Sequence, residues 1–187
     1  MAALPLYLAL AEAARQAGSP EESRAALDSA KNEIQEAMRR GRDPYPLYMD
    51  LADSARQAGD RERELAALSA ALEIRPGSTR TLARLAGTYR EQRNFDRAAL
   101  YLNKIAGINP DSAQAYLQLA AAEEARYQFA AADRAYARAV ALAPQNAGYR
   151  QRYEAFKARV ERNRSTNSRE QGVPCNNNPE RGALSPV

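Results

Sequence analysis

Three phrases spaced by 34 residues decide the fold of this chain: Ala71-Leu-Glu-Ile-Arg-Pro76, Ile105-Ala-Gly-Ile-Asn-Pro110 and Ala139-Val-Ala-Leu-Ala-Pro144. Each is an apolar run that ends in proline, a residue that cannot continue a helix. A fixed period of this length is the mark of a repeat architecture. Stepping back one period from each phrase divides the chain into units 45–78, 79–112 and 113–146.

Equivalent positions of the three units carry the same chemistry. The fourth position is large, the seventh is leucine and the eighth is alanine. The residues are Tyr48, Leu82 and Tyr116, then Leu51, Leu85 and Leu119, then Ala52, Ala86 and Ala120. Apolar residues at this spacing predict amphipathic helices that bury one stripe each. No unit can bury its stripe alone, so we expect neighbouring units to stack.

A fourth unit precedes these three. The stretch from Pro5 to Gly18 aligns with the stretch from Pro46 to Gly59, at an offset of 41 residues. The seven extra residues amount to two helical turns, so they lengthen a helix without rotating its buried face. We therefore predict a long second helix in the first unit, from about Pro20 to Arg40.

The period, the large-x-x-Leu-Ala opening and the terminal proline resemble the tetratricopeptide repeat (TPR) family over about residues 4–146. The resemblance implies an all-α fold: a right-handed α-solenoid of about four TPR helix pairs plus a C-terminal capping helix, with a concave groove. The sequence departs from the family pattern at the twentieth position of a unit. That position should be alanine, as at Ala98 and Ala132, but it holds Ser23 and Glu64 in the first two units.

The predicted organisation has six segments. They are a TPR-like unit 1 with an extended second helix (4–44), TPR 2 (45–78), TPR 3 (79–112), TPR 4 (113–146), a capping helix (147–164) and a disordered tail (165–187). The capping helix is predicted from Tyr149, Tyr153, Phe156 and Val160, which recur at helical spacing. The tail is rich in helix breakers and lacks an apolar period, so its composition cannot bury a core.

Composition argues against an enzyme. The chain has no histidine and a single cysteine, Cys175, which excludes histidine acid–base chemistry, Cys–His catalysis and intrachain disulfides. We therefore predict no catalytic residues, no metal and no cofactor. Acidic residues alternate with basic ones at a net charge of +4, which is unlike the basic stripe of a nucleic-acid binder. No apolar run approaches the ~18 residues of a membrane span, so we predict no membrane insertion.

The resemblance also implies where a partner would bind, because the family lines its groove with particular positions of the first helix of each unit. The candidate peptide-binding residues at these positions are Met49, Arg56, Gln57, Arg80, Arg84, Arg90, Gln114, Leu117 and Gln118. The four arginines suggest an acidic peptide or a free carboxyl terminus as the ligand. A chaperone-type carboxylate clamp is not expected, because Leu8, Glu12 and Asp50 replace the lysine and asparagines of that pattern.

We therefore predict a protein–protein interaction scaffold that binds a peptide or a partner protein in a concave TPR groove. Two alternatives stay open: a self-assembling structural TPR module, and a TPR fragment of a bacterial envelope, secretion or polysaccharide-export protein. The expected compartment is the cytoplasm, or the periplasm in the last case. Against ligand binding stands a simpler interpretation, in which Asp50, Asp53 and Glu91 already neutralise the arginines.

Overall fold

A computed structural model of the chain describes residues 3–170, which form nine helices and no strand. The helices are α1 (Leu4–Gln16), α2 (Pro20–Arg39), α3 (Tyr45–Gln57), α4 (Arg61–Ile74), α5 (Thr79–Glu91), α6 (Phe95–Ile108), α7 (Ala113–Ala125), α8 (Phe129–Leu142) and α9 (Ala147–Glu170). The first eight form four antiparallel pairs, and α9 packs against α8. The predicted all-α solenoid with a C-terminal capping helix is confirmed.

Short polar residues begin the helices of the middle units. Asp60, Ser78, Asn94 and Ser112 each accept a hydrogen bond from the backbone N–H three residues later. Such side chains satisfy donors that the first turn of a helix leaves unpaired. The turn inside each pair contains one residue with positive φ, which is Gly18 and Gly59 in the first two units but Arg93 and Tyr127 in the last two.

The buried residues form two apolar clusters, one across the first two units and one across the last two. Ala52, Ala86 and Ala120 at the eighth position are all buried, and they allow the paired helices to approach closely. Leucines at the seventh position are buried as well, with Leu85 in the first cluster and Leu119 in the second. The repeat register predicted from the sequence is therefore the register of the fold.

The two non-repeating helices differ in how well the sequence predicts them. Helix α2 ends at Arg39, within one residue of its predicted end, and Ile34 in its added turns is fully buried. Helix α9 continues to Glu170, so the predicted boundary at residue 164 is wrong. No glycine or proline occurs between Gly148 and Gly172, and nothing in that stretch stops the helix. The remainder of the predicted tail, 171–187, lies outside the described residues.

Candidate functional site

The first helices of successive units lie side by side and form one continuous face. Arg56 of α3 donates a 2.8 Å hydrogen bond to Glu91 of α5, and Tyr149 of α9 donates one of 2.8 Å to Gln114 of α7. Helix α9 thus occupies the place that the first helix of a fifth unit would take. This face, formed by α1, α3, α5, α7 and α9, holds the predicted binding positions, and we call it the groove face.

A buried glutamate organises the centre of the groove face. Glu64, near the start of α4, is fully buried. Arg61 donates a 2.8 Å hydrogen bond to its Oε2 atom. On the other side of the carboxylate, Oε1 lies 3.5 Å from a guanidinium nitrogen of Arg84 and 3.8 Å from one of Arg56. The hydrogen bond from Arg61 comes first among the causes that raise the pKa of that arginine.

Two further carboxylates complete this arrangement. Glu91 of α5 lies 2.8 Å from Arg56 and 2.5 Å from Arg61, and Asp53 of α3 pairs with Arg84. Three arginines therefore face three carboxylates, and their formal charges cancel. We call Asp53, Arg56, Arg61, Glu64, Arg84 and Glu91 the junction network, because they join the second unit to the third.

One contact in the junction network is not optimal. Glu64 Oε1 and Arg84 Nη2 are both buried without a hydrogen-bond partner, although they lie 3.5 Å apart. Removing one member of a buried charge pair leaves the other uncompensated, which is usually costly. The network is therefore a structural element of the fold as well as part of the groove face.

The junction network changes the interpretation of the predicted arginines. Arg56 and Arg84 are committed to it, and Arg84 is half-buried rather than freely exposed. Arg80 and Arg90, also on α5, are exposed and have no ion pair within residues 3–170. The simpler interpretation thus holds for half of the arginines. Asp53 and Glu91 neutralise Arg56 and Arg84, together with Glu64.

Two predicted contact residues are not on the surface. Met49 and Leu117 are each 3% exposed, so their assignment as ligand-contacting residues is wrong. Met49 lies beneath α5, where the hydroxyl of Thr81 donates to its Sδ atom at 3.6 Å. Leu117 belongs to the second apolar cluster, which is packed against Tyr149 of α9. In both cases the helix of the next unit covers the side chain.

The three predicted glutamines do lie on the groove face. Gln57 and Gln114 are exposed and Gln118 is half-buried. The side-chain oxygen of Gln114 accepts the Tyr149 hydroxyl, which leaves its amide nitrogen available to a ligand. These amides offer both donors and acceptors beside the junction network.

The C-terminal end of the groove face is held by Glu124. Its carboxylate accepts hydrogen bonds of 2.6 and 2.8 Å from Arg159 of α9 and one of 3.0 Å from the Tyr136 hydroxyl. Burial, together with this hydrogen bond to a carboxylate, raises the pKa of Tyr136 to about 12. Glu124 was a predicted groove position as well, but here it fastens the cap to the fourth unit.

Sequence reasoning missed the role of Glu64. The signal was present, because Glu64 stands where the repeat pattern calls for alanine, as Ala98 and Ala132 do 34 and 68 residues later. Its partners are spread over three helices, and no local spacing connects them. Ser23, the other exception, is also buried, and its hydroxyl donates to the carbonyl of Ala11 at 2.9 Å.

Two searches of the described residues gave no candidates. Between residues 3 and 170, no cluster of three or more potential metal ligands occurs. No helix in the same range combines the length and the apolar character needed to cross a membrane.

Comparison with known proteins points to one family. Residues 52–123 match the family model described as "Tetratricopeptide repeat". No curated protein sequence matches the chain significantly. Among solved structures, MamA (residues 41 to end) from Desulfovibrio magneticus RS-1 is similar at 25% identity and a TM-score of 0.58, covering 84% of this chain and 85% of its own.

Smaller TPR domains also superimpose. The first TPR of Spaghetti (RPAP3), solved with the HSP90 peptide SRMEEVD, is 16% identical at a TM-score of 0.54, and the match covers 63% of this chain and 93% of that one. The N-terminal domain of stress-induced protein-1 from C. elegans is 15% identical at a TM-score of 0.55, with 60% and 94% covered. The family match and the shared fold confirm the resemblance: the chain is a tetratricopeptide-repeat protein.

Proposed function

We propose that this protein is an interaction scaffold that binds an extended, acidic segment of a partner along the groove face. Tetratricopeptide repeats generally mediate protein–protein interaction and are generally non-enzymatic. The fold therefore supports a binding role, and the side chains of the groove face supply the proposed chemistry. The proposed compartment is the cytoplasm, since a chain with one cysteine forms no internal disulfide.

The observation that carries this proposal is the contrast among the arginines of α5. Arg84 is neutralised within the junction network, whereas Arg80 and Arg90 are exposed and without an ion pair in the described part of the chain. The two lie ten residues apart on one helix, about 15 Å along its axis. An extended peptide with two acidic groups spans that distance in about five residues.

The junction network supports binding by making the centre of the groove face rigid. Its side chains are already ordered by ion pairs, so a ligand does not have to immobilise them. The ligand would place its acidic groups on Arg80 and Arg90 and its backbone beside Gln57 and Gln118. Displacing Asp53 or Glu91 from the network is not required.

The chemistry of the ligand is argued from charge, with one comparison in support. The Spaghetti domain carries an HSP90 peptide that ends in Glu-Glu-Val-Asp, which is an acidic segment with a free carboxyl terminus. This chain lacks the clamp residues that such a peptide requires. Glu12, at one of those positions, is paired with Arg15, which holds the pKa of Glu12 down at about 2. We therefore propose recognition of internal acidic residues rather than of a terminal carboxylate.

The test begins with a partner isolated on the full-length chain by affinity capture. Its affinity is then measured for Arg80→Ala/Arg90→Ala and for the control Arg42→Ala/Arg134→Ala. The control removes the same charge from exposed positions on the loop before α3 and on α8. We expect the groove variant to weaken binding at least about tenfold and to flatten its salt dependence, while the control changes little.

Equal affinities for the two double variants would contradict the proposed site. Loss of binding in both would attribute the interaction to net charge alone. A Gln57→Ala/Gln118→Ala variant separates backbone recognition from charge, since neither glutamine has an ion pair to disturb.

A further inference from the structure

The two ends of the solenoid are finished differently. At the C-terminal end, α9 carries Glu154 and Lys157 where α3 carries Ala52 and Ala55. Those alanines are buried beneath the second helix of their unit, whereas Glu154 and Lys157 are exposed and form a 2.7 Å ion pair. Helix α9 therefore presents charge where a further helix would have to pack.

The N-terminal end lacks any such finish. Helix α1 is nearly a copy of α3, with Leu6 and Leu10 equivalent to Leu47 and Leu51. In α3, Leu51 lines a cleft with Leu27 of α2 and is only 4% exposed. In α1, Leu6 is 68% exposed and Leu10 is 53% exposed. The same apolar face is thus covered in the second unit and open in the first.

The open face is continuous and uncharged. Leu6, Leu10 and Ala13 follow one another at intervals of four and three residues, so they form one stripe on α1, and all three are exposed. The charged residues of α1, Glu12 and Arg15, are paired with each other and lie on other sides of the helix. We call Leu6, Leu10 and Ala13 the N-terminal stripe.

We propose that the N-terminal stripe is a two-fold interface with a second copy of this chain. Head-to-tail stacking would place the stripe against the charged side of α9, at a desolvation cost. A two-fold contact places stripe against stripe instead. With the two α1 helices antiparallel, Leu6 of one copy faces Ala13 of the other, and Leu10 lies at the axis, so large and small residues alternate across the contact.

The size of the stripe sets the expected strength. One face of a 13-residue helix is about 20 Å long, which is too small to supply the ~800 Å² per partner of a standard interface. We therefore expect a weak, concentration-dependent dimer with a Kd in the micromolar range or above. The groove face takes no part in this contact, so the inference is independent of the proposed function.

Sedimentation velocity on the full chain, from about 1 μM to about 1 mM, tests the dimer. Leu6→Glu/Leu10→Glu should raise the dimer Kd at least about tenfold. The matched control is Leu100→Glu/Ile108→Glu on α6, where the two residues are 53% and 44% exposed and also lie on a single helix. Circular dichroism verifies that both variants keep their helix content.

Cross-linking tests the two-fold register. In a Cys175→Ser background, Leu10→Cys should form a covalent dimer with oxidised glutathione as the electron acceptor, and Leu100→Cys should not. A wild-type chain that stays monomeric throughout would overturn the proposal, as would a dimer that Leu6→Glu/Leu10→Glu leaves intact. A dimer that this variant disrupts, but that Leu10→Cys fails to cross-link, would overturn the two-fold arrangement.

Discussion

The junction between the second and third units and the junction between the third and fourth are built on the same backbone with opposite chemistry. At the first, Glu64 is buried among Arg56, Arg61 and Arg84. At the second, the residues equivalent to Glu64 and Arg84 are Ala98 and Gln118. The equivalents of Arg61 and Glu91 are Phe95 and Ala125.

The comparison shows that the repeat tolerates a buried charge only as part of a complete set. Ala98 and Glu64 are both fully buried. The glutamate is compatible with that position because three neighbouring side chains changed with it. The sequence variation within one chain thus records which residues act together.

The largest expected effect comes from placing the glutamate in the wrong junction. Ala98→Glu should destabilise the fold by about 4 kcal/mol, since only Arg90 stands at an arginine position of the network there. Ala66→Glu, at an exposed site on α4, controls for helix propensity and should cost under about 0.5 kcal/mol. Urea unfolding of both variants measures the difference, and similar midpoints would show that a buried glutamate needs no network.

Core leucines should behave alike on the two sides of the comparison. Leu85→Ala and Leu119→Ala should each cost about 2–4 kcal/mol, because each opens a cavity at the seventh position of its unit. Leu85 is fully buried and Leu119 is 7% exposed, so the loss at Leu85 should be the larger. Denaturant midpoints give the ranking. A negligible loss at either site would mean that the repeat register is wrong there.

Alkaline pH should affect the C-terminal half and leave the junction network unchanged. The pKa of Tyr136 is raised to about 12 in the folded chain, above its ordinary value of about 10. Between those values the unfolded chain loses this proton and the folded chain keeps it, so stability should fall as pH rises from about 10 to about 12. The arginines remain charged throughout this range.

Thermal melts of the wild type and of Tyr136→Phe across that pH window check the assignment. The variant should be less stable at neutral pH, because it loses the hydrogen bond to Glu124, and its melting temperature should fall less steeply above pH 10. Identical slopes would assign the alkaline loss to other groups.

The smallest expected effect concerns the turns inside the units. Arg93 adopts a φ of 59°, whereas Gly59 at the equivalent turn has a φ of 74°. Glycine adopts this conformation without the steric cost that other residues bear, so Arg93→Gly should stabilise the fold by about 0.5–1 kcal/mol. Gly59→Ala should destabilise it by about 1 kcal/mol. Equal signs for the two changes would contradict this explanation.

Much of the fold could be predicted from the sequence because the repeat fixes its own register. The period located the core leucines, the small residues at the eighth position and the long α2. The end of α9 was not predictable from apolar periodicity, because its last residues are polar and only the absence of glycine and proline extends them. The burial of Met49 and Leu117 was missed for another reason, since it depends on how closely the next unit covers each one.

The candidate site was predictable only in outline. Family positions placed Arg56, Arg80, Arg84 and Arg90 on one face, which the structure bears out in position. They could not show that Glu64 would neutralise Arg56 and Arg84, because Glu64 lies on a second helix and its contacts cross units. A departure from the repeat at a buried position was the available signal.

A double-mutant cycle on Glu64→Ala and Arg84→Gln tests most directly the claim that the junction network acts as one unit. The double variant gives the second junction the residues that Ala98 and Gln118 provide in the third. Each single change should cost about 2–3 kcal/mol, because it leaves a buried charge uncompensated. The double variant should lose less than the sum, with a coupling energy of at least about 1 kcal/mol in urea unfolding. Losses that add within about 0.3–0.5 kcal/mol would show that Glu64 and Arg84 contribute independently and would contradict the claim.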